Sequence, residues 1–194
     1  MKSKRMWIAV GAFVLTALFT GLSISWIIVP WLNSSDTSSA SNPVASTTAQ
    51  VVNDITCDPR EHSFHHIHAH LNIFVNRNPI LVHSDIGILP DRCIYWIHTH
   101  DDKGIIHIES PERRNFTLGE FFDVWGQNFD NNQIFDNIVE PNKNRTLDVY
   151  LNGNKVSPGT DYRQIPINSH DQIAIVFGKA PKPIPSTYEF SEGL

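Results

Sequence analysis

The pattern of apolar and polar positions divides the chain into an apolar leader, a polar stretch and a patterned domain. From Trp7 to Leu32 almost every residue is apolar, interrupted only by small residues and by Pro30. Such a run satisfies the roughly 20 residues that a helix needs to cross the hydrocarbon core of a bilayer. Lys2, Lys4 and Arg5 precede it within the short segment 1–6. That charge asymmetry keeps the N-terminus in the cytoplasm and carries everything after Leu32 outward. A cleaved signal peptide is the alternative, but its apolar region spans about 7 to 15 residues, and here Trp26, Ile27, Ile28, Val29 and Trp31 prolong the run. The pattern predicts an uncleaved single-pass anchor over 7–32, with the lipid bilayer as its partner. Residues 33–55, rich in Ser, Thr, Ala and Asn, have too little apolar surface to fold and read as a disordered tether. A domain over 56–180 and a tail over 181–194 complete the expected organisation.

Within the domain, residues 66 to 75 alternate strictly. Ile67, Ala69, Leu71, Ile73 and Val75 fall on one face, and His66, His68, His70, Asn72 and Phe74 on the other. This is the period of a strand with one buried face. Asn76-Arg77-Asn78 predicts a turn, and Pro79 to His83 a returning strand. A second hairpin is expected to run from Cys93 to His100, turn at Asp101-Asp102-Lys103-Gly104 and return through Ile105 to Glu109, with Gly104 supplying the positive φ of the turn. Thr117-Leu118-Gly119-Glu120 is a capping box, and Leu118, Phe121, Phe122 and Trp125 form one apolar face of a short helix over about 118–127. Leu147 to Leu151 and Gln172 to Phe177 read as further strands, with Asn152-Gly153 as a hairpin turn. The sum is an α+β domain, a mainly antiparallel or mixed sheet covered by one helix in a β-grasp-like arrangement. A cupin-like barrel is the alternative, because closely spaced His-x-His strands followed by a glutamate resemble its metal site.

Periodicity also sorts the histidines. Pairing His98 with His107 in the second hairpin puts His98, His100, His107 and Glu109 on one face. The opposite face then collects Tyr95, Ile97, Thr99, Ile106 and Ile108, an apolar set that a one-residue slip would split. If the strand at 66–75 is a neighbour, His66, His68 and His70 join the same patch, with His62, His65 and His83 at its edge. Imidazole is a common donor to transition metals, and histidines two apart on a strand grip an ion from one side. The expected metal ligands are therefore His66, His68, His70, His98, His100 and His107. Glu109, Asp101 and Asn72 stand as additional ligands or as acceptors that orient the rings. Asp101 and Asp102 serve equally well as turn formers.

Composition sharpens this picture. The chain holds 10 histidines, and all but His170 lie between positions 62 and 107. The 15 basic residues against 20 acidic ones form no stripe suited to phosphates outside the N-terminus, which argues against a nucleic-acid partner. Cys57 and Cys93 suit one disulfide in an oxidising compartment, with soft metal ligation as the alternative. Asn33, Asn115 and Asn144 each begin a glycosylation acceptor triplet, in keeping with an outside location. No Ser-His-Asp or Cys-His set, phosphate-cradling glycine loop or haem-attachment motif is evident.

The stretches His68-Ala-His-Leu-Asn-Ile-Phe-Val-Asn76, Cys93-Ile-Tyr-Trp-Ile-His-Thr-His-Asp101, Gly104-Ile-Ile-His-Ile-Glu-Ser-Pro111 and Phe116-Thr-Leu-Gly-Glu-Phe-Phe-Asp-Val-Trp-Gly126 resemble a family of small exported archaeal and bacterial domains. The resemblance covers most of residues 62 to 178. It implies the domain extent and an extracytoplasmic setting, and no activity. Together these readings predict a membrane-anchored extracytoplasmic domain binding copper or zinc for capture, buffering or delivery, with an extracytoplasmic donor or acceptor protein as partner. Copper is favoured because Cu(II) outcompetes other divalent ions at nitrogen sites. The alternatives are a His-ligated metalloenzyme and a metal-free cell-surface interaction module.

Overall fold

The computed structural model describes residues 50–194. The anchor over 7–32, the segment 1–6 and the tether up to residue 49 lie outside the described residues. Among the described residues no helix is long and apolar enough to cross a membrane.

In chain order the strands are β1 (Val51–Val52), β2 (Ile55–Asp58), β3 (His65–Val75), β4 (Asn78–Ile80), β5 (Ile88–Leu89), β6 (Cys93–Tyr95), β7 (Ile97–His98) and β8 (Ile105–Ser110). After helix α1 (Leu118–Trp125) come β9 (Phe129–Asp130), β10 (Gln133–Ile134), β11 (Asn137–Ile138), β12 (Leu147–Leu151), β13 (Asn154–Lys155) and β14 (Gln172–Phe177). The principal sheet runs in the order β13-β12-β14-β3-β8-β7, with β4 also paired to β3. β14 and β3 are parallel, and each is flanked by antiparallel strands. The terminal strands β13 and β7 do not pair with each other, so the sheet is open and the barrel alternative is overturned. Smaller sheets, β1-β2-β6-β5 and β11-β10-β9, complete the architecture.

Alternation decides which face becomes the core. The aliphatic residues of β3 and β8, including Ala69, Leu71, Ile106 and Ile108, pack with Ile97, Ile173 and Ile175 against Leu118, Phe121 and Phe122 of α1. Apolar area leaving water here, at about 25 cal/mol per Å², supplies the main driving force. The register keeps this face continuous: Ile97 lies opposite Ile108, and Ile108 opposite Ile67.

Turn chemistry follows the same logic. At Gly104 φ is +81°, and a Cβ would sit 2.5 Å from the Leu71 carbonyl oxygen, so this position accepts only glycine. Asn152 and Gly153 both have positive φ and close the two-residue hairpin between β12 and β13. The helix starts on the expected capping box: Thr117 Oγ1 accepts from the Glu120 N–H, and the Glu120 carboxylate accepts from the Thr117 N–H at 2.7 Å. Thr117→Ala is expected to cost about 1 kcal/mol, read by denaturant unfolding. Thr117→Ser should retain most of the stability, and an equal loss in both variants would discount the cap.

Four expectations change. Residues 51–55, assigned to the tether, belong to the folded part, because β1 pairs with β2 and Ile55 is fully buried. The strand expected over Cys93–His100 is split between two sheets at Trp96. There the Trp96 N–H donates to Thr56 in the small sheet, while its carbonyl accepts from Glu109 in the principal one. The returning strand expected over Pro79–His83 is shorter and ends at Ile80. The histidine-bearing face is also more closed than simple alternation implies: His68, His98, His107 and Glu109 are all buried.

Candidate metal centre

The centre is built on three adjacent strands, with β8 in the middle. Register places His98 of β7 opposite His107 of β8, and His107 opposite His68 of β3. One step along, His66 lies opposite Glu109. All these side chains point away from the helix-covered face, since a strand's side chains repeat every two residues. His100 follows β7 on the same side.

Two overlapping groups result: His66, His68, His107 and Glu109, and His98, His100, His107 and Glu109. Within each group, one ligating atom from every residue lies within 4.8 Å of the others. His66 Nε2 and His68 Nε2 are 3.1 Å apart, as are His98 Nε2 and His100 Nε2. Two nitrogens bound to one ion at about 2.0–2.1 Å stand roughly 3 Å apart when adjacent, so each pair has the spacing of neighbouring ligands. Glu109 Oε1 is 3.2 Å from His66 Nε2 and 3.5 Å from His107 Nδ1. The ring contacts are equally close, with His107 centroids 4.5 Å from both His68 and His100.

Hydrogen bonding fixes one ring. His98 Nδ1 lies 2.8 Å from the Tyr95 carbonyl, which only accepts, so Nδ1 carries the proton and donates. Nε2 is then the unprotonated nitrogen, facing His100 Nε2 at 3.1 Å within the cluster, and a second ring nitrogen bonded to a carbonyl is the arrangement that orients metal-binding imidazoles. His107 Nδ1 is buried and has no hydrogen-bond partner, and such a group is costly unless something binds it.

Burial also keeps two of the rings, His68 and His98, neutral near pH 7. Removal from water pushes the His98 imidazole down to about 4 against the hydrogen bond to Tyr95. Burial and repulsion from His107 and His66 push His68 down to about 4 as well. Burial alone would raise the Glu109 carboxyl, but His107, whose Nδ1 is 3.5 Å away, and the neighbouring His98 and His66 hold it below the usual carboxylate range. Unprotonated imidazoles beside an ionised carboxylate form a donor set for borderline divalent metals.

The remaining expected residues lie elsewhere. His70 shares the strand face, but its Nδ1 meets Gln172 Oε1 at 2.7 Å, its Nε2 meets the Lys103 carbonyl at 2.8 Å, and its ring stacks on Tyr188. Both nitrogens are thus engaged outside the two groups. Asn72 accepts from Gln172 Nε2. Asp101 pairs with Lys103 at 2.9 Å and accepts from its backbone N–H, the turn-forming role. At the edge, His62 bonds Asp58, which also accepts from the Trp96 indole N–H, while His83 is exposed. Cys57 and Cys93 form the expected disulfide, joining β2 to β6; there are no free cysteines.

One acidic residue was not anticipated. Glu61 Oε1 lies 3.2 Å from His100 Nε2 and 3.9 Å from His98 Nε2. The signal for it lay in the cysteines: a bridge from Cys57 to Cys93 holds the segment carrying Glu61 beside the segment carrying His98.

No protein-family model, curated protein or solved structure matches this chain. The functional reading therefore rests on the donor geometry itself.

Proposed function

We propose that this protein is a membrane-anchored, extracytoplasmic domain that binds a transition metal, copper or zinc, for capture, buffering or delivery to a partner protein. The observation that carries the reading is the convergence of five imidazoles and Glu109 on one sheet face in two ligand-spaced groups. The ring spacings, the oriented His98 and the unpartnered His107 nitrogen all support it. The disulfide agrees with an oxidising compartment, and the apolar run over 7–32 supplies the anchor. Copper is the favoured ion because nitrogen donors rank Cu(II) above its divalent neighbours. The sheet order, with β3 and β14 parallel at the centre and a helix between the two halves of the chain, supports a β-grasp-like arrangement.

A purely ionic histidine–carboxylate network is disfavoured, since His68 and His98 are neutral near pH 7. The metalloenzyme alternative draws on the half-exposed His66 and His100, through which water would reach a bound ion. In that case Glu109 or Glu61 would be the proton acceptor.

The test uses the full chain purified without a polyhistidine tag, dialysed against copper and zinc and assayed by elemental mass spectrometry. At least stoichiometric metal is expected, with a loss of ten-fold or more in affinity in a His98→Ala, His100→Ala variant that keeps its fold. Metal-free native protein would sink the reading.

A further inference from the structure

We infer that the centre is dinuclear, with two ions held on either side of strand β8 and His107 and Glu109 serving both. The inference rests on the metal-binding reading above and specifies its stoichiometry. Donors on a single ion at about 2.0–2.1 Å are at most about 4.2 Å apart, and that only when they stand opposite each other. The candidate donors do not gather into one group: with donor atoms within 4.8 Å of one another they fall into two, and only His107 and Glu109 belong to both.

The topology explains the division. β8 lies between β3 and β7, and neighbouring strands are about 4.8 Å apart, so donors from β3 and β7 approach β8 from opposite sides. His66 and His68 form the 3.1 Å pair on the β3 side. His98 and His100 form the 3.1 Å pair on the β7 side, where Glu61 adds a carboxylate oxygen 3.2 Å from His100 Nε2. A carboxylate has two oxygens, so Glu109 has a donor for each side; a neutral imidazole has one free lone pair, so His107 serves both ions as an imidazolate, its remaining N–H proton passing to water when the second ion binds. Five imidazoles and two carboxylates exceed the four to six donors that one such ion takes, and divide naturally between two.

Titration of the tag-free full chain with Cu(II), followed by electron paramagnetic resonance, tests this. His66 and His100 are the convenient variants, because each side chain is 42% exposed and its loss leaves the core intact. The native chain is expected to bind two equivalents, with the resonance intensity falling well below the copper content as the second equivalent couples to the first. His66→Ala and His100→Ala should each bind one equivalent at full intensity, with near-ultraviolet circular dichroism confirming the fold. One equivalent in the native chain would overturn the dinuclear centre and leave single-ion binding standing. Two equivalents at full intensity would overturn shared ligation by His107 and Glu109. No bound copper would overturn both this inference and the metal-binding reading.

Discussion

Acidification of the metal-free protein from pH 6.5 to pH 5 is expected to remove about 3 kcal/mol of folding stability, from the combined titration of His68 and His98. In the unfolded chain these imidazoles titrate near their ordinary value of about 6.5; in the fold burial holds both at about 4. Between those values the unfolded chain binds more protons than the native one, so stability falls as pH falls. Their contribution is fully present above about pH 6.5 and is lost progressively as the pH approaches 4. The window from 6.5 to 5 is diagnostic because ordinary carboxylates titrate mostly below it. Urea unfolding in the presence of a chelator, repeated across that window, provides the measurement. A flat profile would show that neither ring is held neutral by the fold. Bound metal should steepen the dependence, since protons compete for the same nitrogens.

Removal of the disulfide is expected to have an effect of similar size. The bridge from Cys57 to Cys93 spans 36 residues, and the chain entropy released to the unfolded state on opening a loop of that length corresponds to about 4 kcal/mol. A Cys57→Ser, Cys93→Ser variant should show that loss by denaturant unfolding, and reduction of the native protein should approximate it. There is a second, functional consequence. The bridge ties β2, from which the chain runs to Glu61, to β6, from which it runs to His98 and His100. Metal affinity on that side should therefore weaken more than on the His66 and His68 side. Equal weakening of both sides would point to global loosening instead of loss of this tether.

Much of the centre was legible because strand periodicity is local. Alternation assigns His66 and His68 to one face of their strand, and the apolar set Ile97, Ile106 and Ile108 admits only the register in which His98 meets His107. The capping box at Thr117 and the turns at Gly104 and Asn152-Gly153 were readable for the same reason: each depends on residues a few positions apart. His70 shows where such reading stops. It lies on the correct face, but two residues advance a strand by about 6.6 Å, which carries it from His68 to a level where β14 presents Gln172.

The sequence by itself determined the faces, the hairpin register, the helix and its cap, and the residue types able to ligate a metal, because all of these follow from short-range spacing and side-chain chemistry. Only the tertiary structure decided that β3 lies against β8 with His68 opposite His107, that Trp96 divides its strand between two sheets, and that Glu61 closes over His98 and His100. Those outcomes depend on how distant segments bury their aliphatic faces together and on a bridge 36 residues long, and no local pattern encodes which of several neighbours a strand will find.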